Sequence, residues 1–331
     1  MRSQDFNVGT PEAFAPDTLM PRPTKSMRKP ATRPTRKPRS LSGGPLLNPA
    51  MPCETAFRIV ARRHLEKLGA NQTATCSGDQ DALHRMRVAL THLRTCVRFF
   101  SPMVEDPTSV DITDELRWLN KRLGAVRDLD VAIGRIEATS KVQDLSRFAS
   151  WMEKRAKAHR ALARTLQSTR YRRLVEATSK WIESGPWSTR TDEQSEQARR
   201  MPVLVYALHK LAQWEKRLLK RSRKLRKIGV EKRHRLRLLT KKLNYAIDSC
   251  QDLFADARFS KQQTALKNLR KAQRYLGQLN DDARQQALAR ELRRHGAKTP
   301  LPSRNPGREM LLLEKTAAAY AKLAKLKPFR S

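Results

Sequence analysis

The sequence predicts an all-α protein, and three observations carry that prediction. From Cys53 onward, apolar residues recur in steps of three and four, the period of one helix face. No stretch alternates apolar and polar residues for long enough to make a strand. Two elements of the first half of this region return in the second half in the same order. The expected architecture is two pseudo-symmetric four-helix bundles forming one compact domain, preceded by a disordered N-terminal arm.

The arm spans residues 1–51. Its first 50 residues hold nine of the 18 prolines, nine Lys or Arg and three acids, with no apolar period to pack. Such an arm is a tether able to add to polyanion binding.

Helical spacing then begins with Phe57, Val60, Ala61, His64, Leu65 and Leu68 and stops at Gly69-Ala70-Asn71. The next helix covers residues 83–100, capped by Asp79 or Asp81 and followed by Pro102. Its apolar stripe is Leu83, Met86, Leu90, Leu93, Val97 and Phe100. A third helix opens at Asp111 or Thr113 with Leu116, Leu119, Leu123, Val126, Ile133 and Ile136. Residues 144–168 form a fourth, with Arg155 inside its stripe, and residues 171–182 a shorter fifth.

The polar stretch from Ser184 to about 196 reads as a linker, which sets the first half at 52–184 and the second at 196–331. Helices follow over 201–225, ending in the cationic run KRLLKRSRKLRK, and over 231–254 and 259–295. Pro300, Pro302 and Pro306 break the chain before a last helix over 308–326.

Composition narrows the partner. Lys and Arg total 69 against 32 Asp and Glu, a formal charge of +37 over 331 residues. That imbalance asks for a polyanion: nucleic acid, an anionic membrane surface or a phosphate polymer. The four cysteines form no CxxC pair and read as free thiols in a reducing compartment. There is no secretory h-region and no run of about 18 apolar residues. The expectation is a cytoplasmic protein without a membrane span.

The repeat carries the chemistry. His84-Arg85-Met86-Arg87 is echoed by His234-Arg235-Leu236-Arg237, 150 residues later. Leu123-Gly124-Ala125-Val126-Arg127-Asp128 is echoed by Leu276-Gly277-Gln278-Leu279-Asn280-Asp281, 153 residues later. Just before these glycines, Arg117 and Lys121 match Arg270 and Arg274. His84, Arg87, Arg94 and Arg98 form a cationic stripe beside the apolar stripe of their helix. His234, Arg237, Lys241 and Lys242 do the same in the second helix, near Tyr245. Cations that border an apolar stripe, instead of lying opposite it, edge a groove between helices. A row of Arg and Lys on one helix face fits a chain of phosphates.

Other chemistries fit less well. His84 and His92 are eight apart and His234 has no His or Cys a turn away, so a metal site is disfavoured. Histidines that charge below about pH 6.5 strengthen the groove. Asp128 and Asp281 read as partners of nearby Arg or Lys that hold helices in register, not as catalytic acids. Gly124 and Gly277 let helices approach closely. No GxxxxGK[ST] or GxGxxG motif is present, and no nucleophile set.

Paired HxxR helices, each followed by LGxxRD or LGxLND, resemble the CHAD (conserved histidine α-helical domain) family. The resemblance runs over about residues 52–328 and includes a terminal Lys327-Pro328-Phe329. It implies two four-helix bundles around a basic central groove that binds inorganic polyphosphate. It also implies a binding module without catalysis or cofactor, some relatives of which associate with polyphosphate granules. The family's basic positions fall on His84, Arg87 and Arg94, and on His234, Arg237, Lys241, Lys242 and Tyr245; the helix rhythm adds Arg98, and the repeat adds Lys121 and Arg274. Two positions depart from the pattern. Thr91 and His92 stand where two basic residues are usual, and Asn244 stands where an Arg often precedes the Tyr. The second half is therefore expected to dominate binding. The alternatives from other classes are a non-specific RNA or DNA binder and a phosphate-processing enzyme.

Overall fold

Helix after helix packs edge to edge, in the order the apolar stripes dictate. A computed structural model describes residues 47–139, 145–223, 225–254, 256–294 and 305–329. The first half comprises α1 (Cys53–Ala70), α2 (Gln72–Cys76), α3 (Gln80–Phe99), α4 (Ser101–Val104), α5 (Pro107–Thr139), α6 (Leu145–Gln167), α7 (Thr169–Ser184) and α8 (Glu193–Arg200). The second comprises α9 (Val203–Ser222), α10 (Val230–Ser249), α11 (Asp256–Arg294) and α12 (Pro306–Leu326). Among the described residues no strand forms; one isolated bridge pairs Pro52 with Pro202.

In the first half α1 packs on α3, α3 on α5, α5 on α7 and α7 back on α1, with α6 laid against α5 and α7. In the second half α9 packs on α10, α10 on α11, α11 on α12 and α12 back on α9. α3 and α10, which carry the two HxxR motifs, pack on each other.

Local chemistry sets the ends. Asp79 caps α3, its Oδ1 accepting from Asp81 N at 2.7 Å and Ala82 N at 3.0 Å. α5 starts earlier than its apolar stripe suggests. Asp106 Oδ1 accepts from Ser109 N at 2.6 Å, and Pro107 takes the first helical position, where a missing N–H costs nothing. α12 ends in Lys327, whose φ of 42° is left-handed. That reversal turns Pro328 O back to accept from Gln262 Nε2 at 2.9 Å and buries Phe329.

Two boundaries differ from the sequence reading. Residues 1–46 of the arm lie outside the described residues, but Leu47 is in the core and the backbone after it is tied down. Val203 N donates to Met51 O at 2.9 Å, and Cys53 N to Met201 O at 3.0 Å. The stretch after Ser184 is no loose linker either. Trp187 is fully buried; its backbone N donates to Asp106 Oδ2 at 3.0 Å and its Nε1 to Trp181 O at 2.8 Å. Phe57 meets both tryptophans edge to face, with centroids 5.7 and 5.2 Å away. Residues Glu193–Arg200 are helical, and the Arg199 guanidinium bonds back to Trp187 O at 3.1 Å. Polar composition hid a stretch held by two tryptophans and one carboxylate.

Arg155 also leaves the apolar role its spacing suggested. With His159 it reaches the buried Asp130, at 2.9 and 2.8 Å, and so ties α6 to α5. Cys53, Cys96 and Cys250 are buried free thiols, and Cys76 is half-buried.

A candidate polyanion groove between α3 and α10

The geometry begins with the repeated glycines. Arg87 reaches from α3 to α5, where its Nη1 donates to Gly124 O at 3.4 Å and lies 3.7 Å from Asp128 Oδ1. Arg237 reaches from α10 toward α11, its Nε 4.0 Å from where a Gly277 Cβ would stand. The matching distance at Gly124 is 3.9 Å, to Arg87 Nη2. Both glycines therefore face an arginine and not a neighbouring backbone, and a methyl group would make only ordinary contact. This corrects the expectation that they allow close helix approach. His234 is held in the same way, its Nδ1 3.0 Å from Asn280 Oδ1.

Electrostatics shows which side chains share one field. Burial, then Arg237 and Arg87, pulls the Lys241 ammonium down to about 8. Burial, then Arg127, Arg87 and Lys241, lowers His84, with Asp81 opposing. Tyr245 is pushed up to about 12 by burial and Asp248, against Arg237 and Arg87. Thus His84, Arg87 and Arg127 from the first half meet Arg237 and Lys241 from the second. A further group lies along the same helices: Lys242 is lowered by burial, then Arg98 and Arg94, and Arg94 by burial, then Arg117. For Lys241, His84, Lys242 and Arg94, burial is the larger cause and neighbouring cations the next, so each charged form lacks both water and counter-charge. An anion placed among them relieves that cost.

The floor is aromatic. Lys241 Nζ lies 5.4 Å from the Tyr245 ring centre, Tyr245 lies 4.1 Å from His92, and His92 stacks on His64 at 4.7 Å. Burial and then Lys67 and Lys241 hold His92 down at about 4; burial and then His92 hold His64 at about 2. The expectation that these histidines add charge just below pH 6.5 is corrected for His92, which burial beside fixed cations keeps neutral there; the same causes disfavour the charged form of His84.

Of the residues marked from sequence, His84, Arg87, Arg94, Arg98, Arg237, Lys241, Lys242 and Tyr245 come together along the α3–α10 seam. His234 borders it from the α11 side. Lys121 and Arg274 are exposed, one helical turn before Gly124 and Gly277, on the faces of α5 and α11 that carry those glycines. The reading passed over three residues. Arg127 stands inside the quoted LGAVRD motif, where the repeat has Asn280. Lys67 and His64 come from α1, outside the two repeated motifs.

The model of the CHAD domain family matches residues 59–290, more than half of the chain. The chain belongs to the CHAD-domain family. The match spans both HxxR helices and both glycine motifs of this CHAD protein. A solved structure, the CHAD domain from the plant Ricinus communis, is similar at 23% identity and a TM-score of 0.64, over 85% of this chain and 90% of that one. That likeness speaks for the fold alone. PptA from Streptomyces chartreusis aligns at 14% identity with a TM-score of 0.48, over 83% of this chain and 96% of that one. No curated protein matches this CHAD protein. Among the described residues, no helix is long and apolar enough to cross a membrane.

Proposed function

We propose that this CHAD protein binds inorganic polyphosphate in the groove between α3 and α10, without catalysis, and that it accompanies polyphosphate granules in the cell. One observation carries the reading: arginines from the two halves converge closely enough on Lys241 and Lys242 to disfavour their charged forms. Lys241 feels both Arg87 and Arg237, and Lys242 feels both Arg94 and Arg98. A linear polymer with a charge on every repeat neutralises such a row along its whole length. Guanidinium groups supply bidentate contacts and ammonium groups point charges. Arg237 Nε is buried with no hydrogen-bond partner, a donor that a phosphate oxygen satisfies.

Two features favour phosphate over nucleic acid. The groove's aromatic residue, Tyr245, is only 9% exposed and already covered by His92, so it offers bases no platform. The four cysteines form no CxxC pair, so no zinc finger is available to read base edges. Two carboxylates beside the groove are held by arginines, Asp128 at 3.7 Å from Arg87 and Asp248 at 2.9 Å from Arg270, which speaks against a phosphoryl-transfer centre.

Competition at fixed ionic strength tests the assignment. Long-chain polyphosphate is expected to displace bound RNA and duplex DNA from the purified protein. Tighter nucleic-acid binding reverses the assignment, and sustained Mg²⁺-dependent release of phosphate overturns its non-catalytic part.

A further inference from the structure

The cationic run at the end of α9 lies outside both HxxR helices, and the groove leaves it unexplained. Lys210, Arg217 and Arg221 follow one another at steps of seven and four, which puts them on one stripe of α9, with Lys220 beside it. The stripe rises roughly 16 Å from Lys210 to Arg221 at the helical pitch. Arg217, Lys220 and Arg221 are exposed, and no acid among the described residues pairs with them. The single acid of α9, Glu215, is buried at 4% exposure.

A solvated charge run is the ordinary explanation of such a stripe, and a second observation argues against it. α9 packs on α10, the helix that carries Lys242 and lines the groove, so the stripe adjoins it. Lys210 is half-buried, and its ammonium is lowered by burial, then by Arg217 on its own helix and by Arg98 on α3. Arg98 in turn acts on Lys242 of α10. The sequence Lys242, Arg98, Lys210, Arg217, Arg221 is therefore one track that leaves the seam and runs along α9.

We propose that the outer face of α9 is a second binding segment for the same polyphosphate chain, which continues onto it from the Arg94, Arg98 and Lys242 end of the groove. The inference rests on the polyphosphate reading and adds a consequence to it. Chains long enough to leave the groove gain contacts that short chains do not reach. Selectivity for long polymers is then built into α9, not into the HxxR helices.

Three full-length variants separate the possibilities. The first is Arg217→Ser with Lys220→Ser and Arg221→Ser. The second is a charge-matched control on α7, Arg172→Ser with Arg173→Ser and Lys180→Ser, all exposed. The third is Arg237→Ala with Lys241→Ala in the groove. Binding is measured against polyphosphate of about 10 and of several hundred phosphates, across a salt series. For the α9 variant the expected result is short-chain affinity within twofold of the parent and long-chain affinity at least tenfold weaker. Its long-chain salt slope should shrink by roughly two units, for three lost phosphate contacts.

The inference is overturned if the α9 variant leaves long-chain binding intact, weakens both lengths equally, or behaves like the α7 control. It is also overturned if RNA binding alone falls, since the stripe then serves nucleic acid. Failure of the groove reading looks different: the third variant, still folded, binds both lengths as the parent does.

Discussion

The Lys241 ammonium lies 5.4 Å above the Tyr245 ring, inside a field set by Arg237 and Arg87. Burial and these two guanidinium groups bring it to about 8, so near neutral pH it can lose its proton. Bound polyanion favours the charged form and raises the value again. Affinity for polyphosphate is therefore expected to be highest below pH 8, to fall as pH rises through 8, and to be coupled to proton uptake. Calorimetry in buffers of different ionisation enthalpy reads that uptake directly. Lys241→Arg, always charged, should flatten the profile; a flat profile in the parent protein removes Lys241 from the site.

The groove itself predicts a loss on truncation. Arg237→Ala with Lys241→Ala should cost about 2–4 kcal/mol of binding, the scale of one or two charged hydrogen bonds, and should reduce the salt slope. Affinity and slope both unchanged in a folded double variant would falsify the placement of the ligand.

Trp187 predicts where stability resides. It is fully buried, packed on Phe57, and bonded to Asp106 and Trp181. Trp187→Ala should cost about 3–5 kcal/mol of unfolding free energy. Substitution of the exposed Thr189 should change little, within about 0.5 kcal/mol. Denaturant titration distinguishes this from a loose connection, for which both substitutions would be silent.

His64 predicts acid sensitivity. Its folded value, held at about 2 by burial, is far below the ordinary 6.5. The folded protein refuses a proton that the unfolded chain accepts, so its stabilising contribution is complete above pH 6.5. That contribution drains away as pH falls from 6.5 toward 2. Between pH 6 and 4 the loss approaches about 1.4 kcal/mol per pH unit. His64→Gln should shallow that slope; an identical slope would assign the acid sensitivity elsewhere, with His92 the next suspect.

Much of this was legible in the sequence, for definable reasons. α3 and α10 announced themselves because one face of each is apolar at helical period and the neighbouring face cationic, and because each motif occurs twice. The start of α5 was obscured because its signal is polar: Asp106 and Ser109 exchange hydrogen bonds before any apolar periodicity begins. The stretch around Trp187 misled because Ser, Thr, Asp and Gln dominate it, while its structure is decided by a carboxylate 81 residues away. At the site, repetition exposed Arg87 and Arg237 but could not expose Lys67 or His64, which lie outside the two repeated motifs. Nor can spacing reveal a histidine's protonation, since that depends on what the fold stacks above it.

Finally, the ring of Phe100 lies parallel to Tyr206 at 5.4 Å, while the Tyr206 hydroxyl donates to Phe99 O and Trp214 meets Phe99 edge-on. Four aromatic residues from the two halves of the chain are thus shared property. Anyone producing either portion by itself should anticipate a sticky, aggregating polypeptide, and a protease nick between Ser184 and Glu193 should leave two fragments that co-purify until denatured.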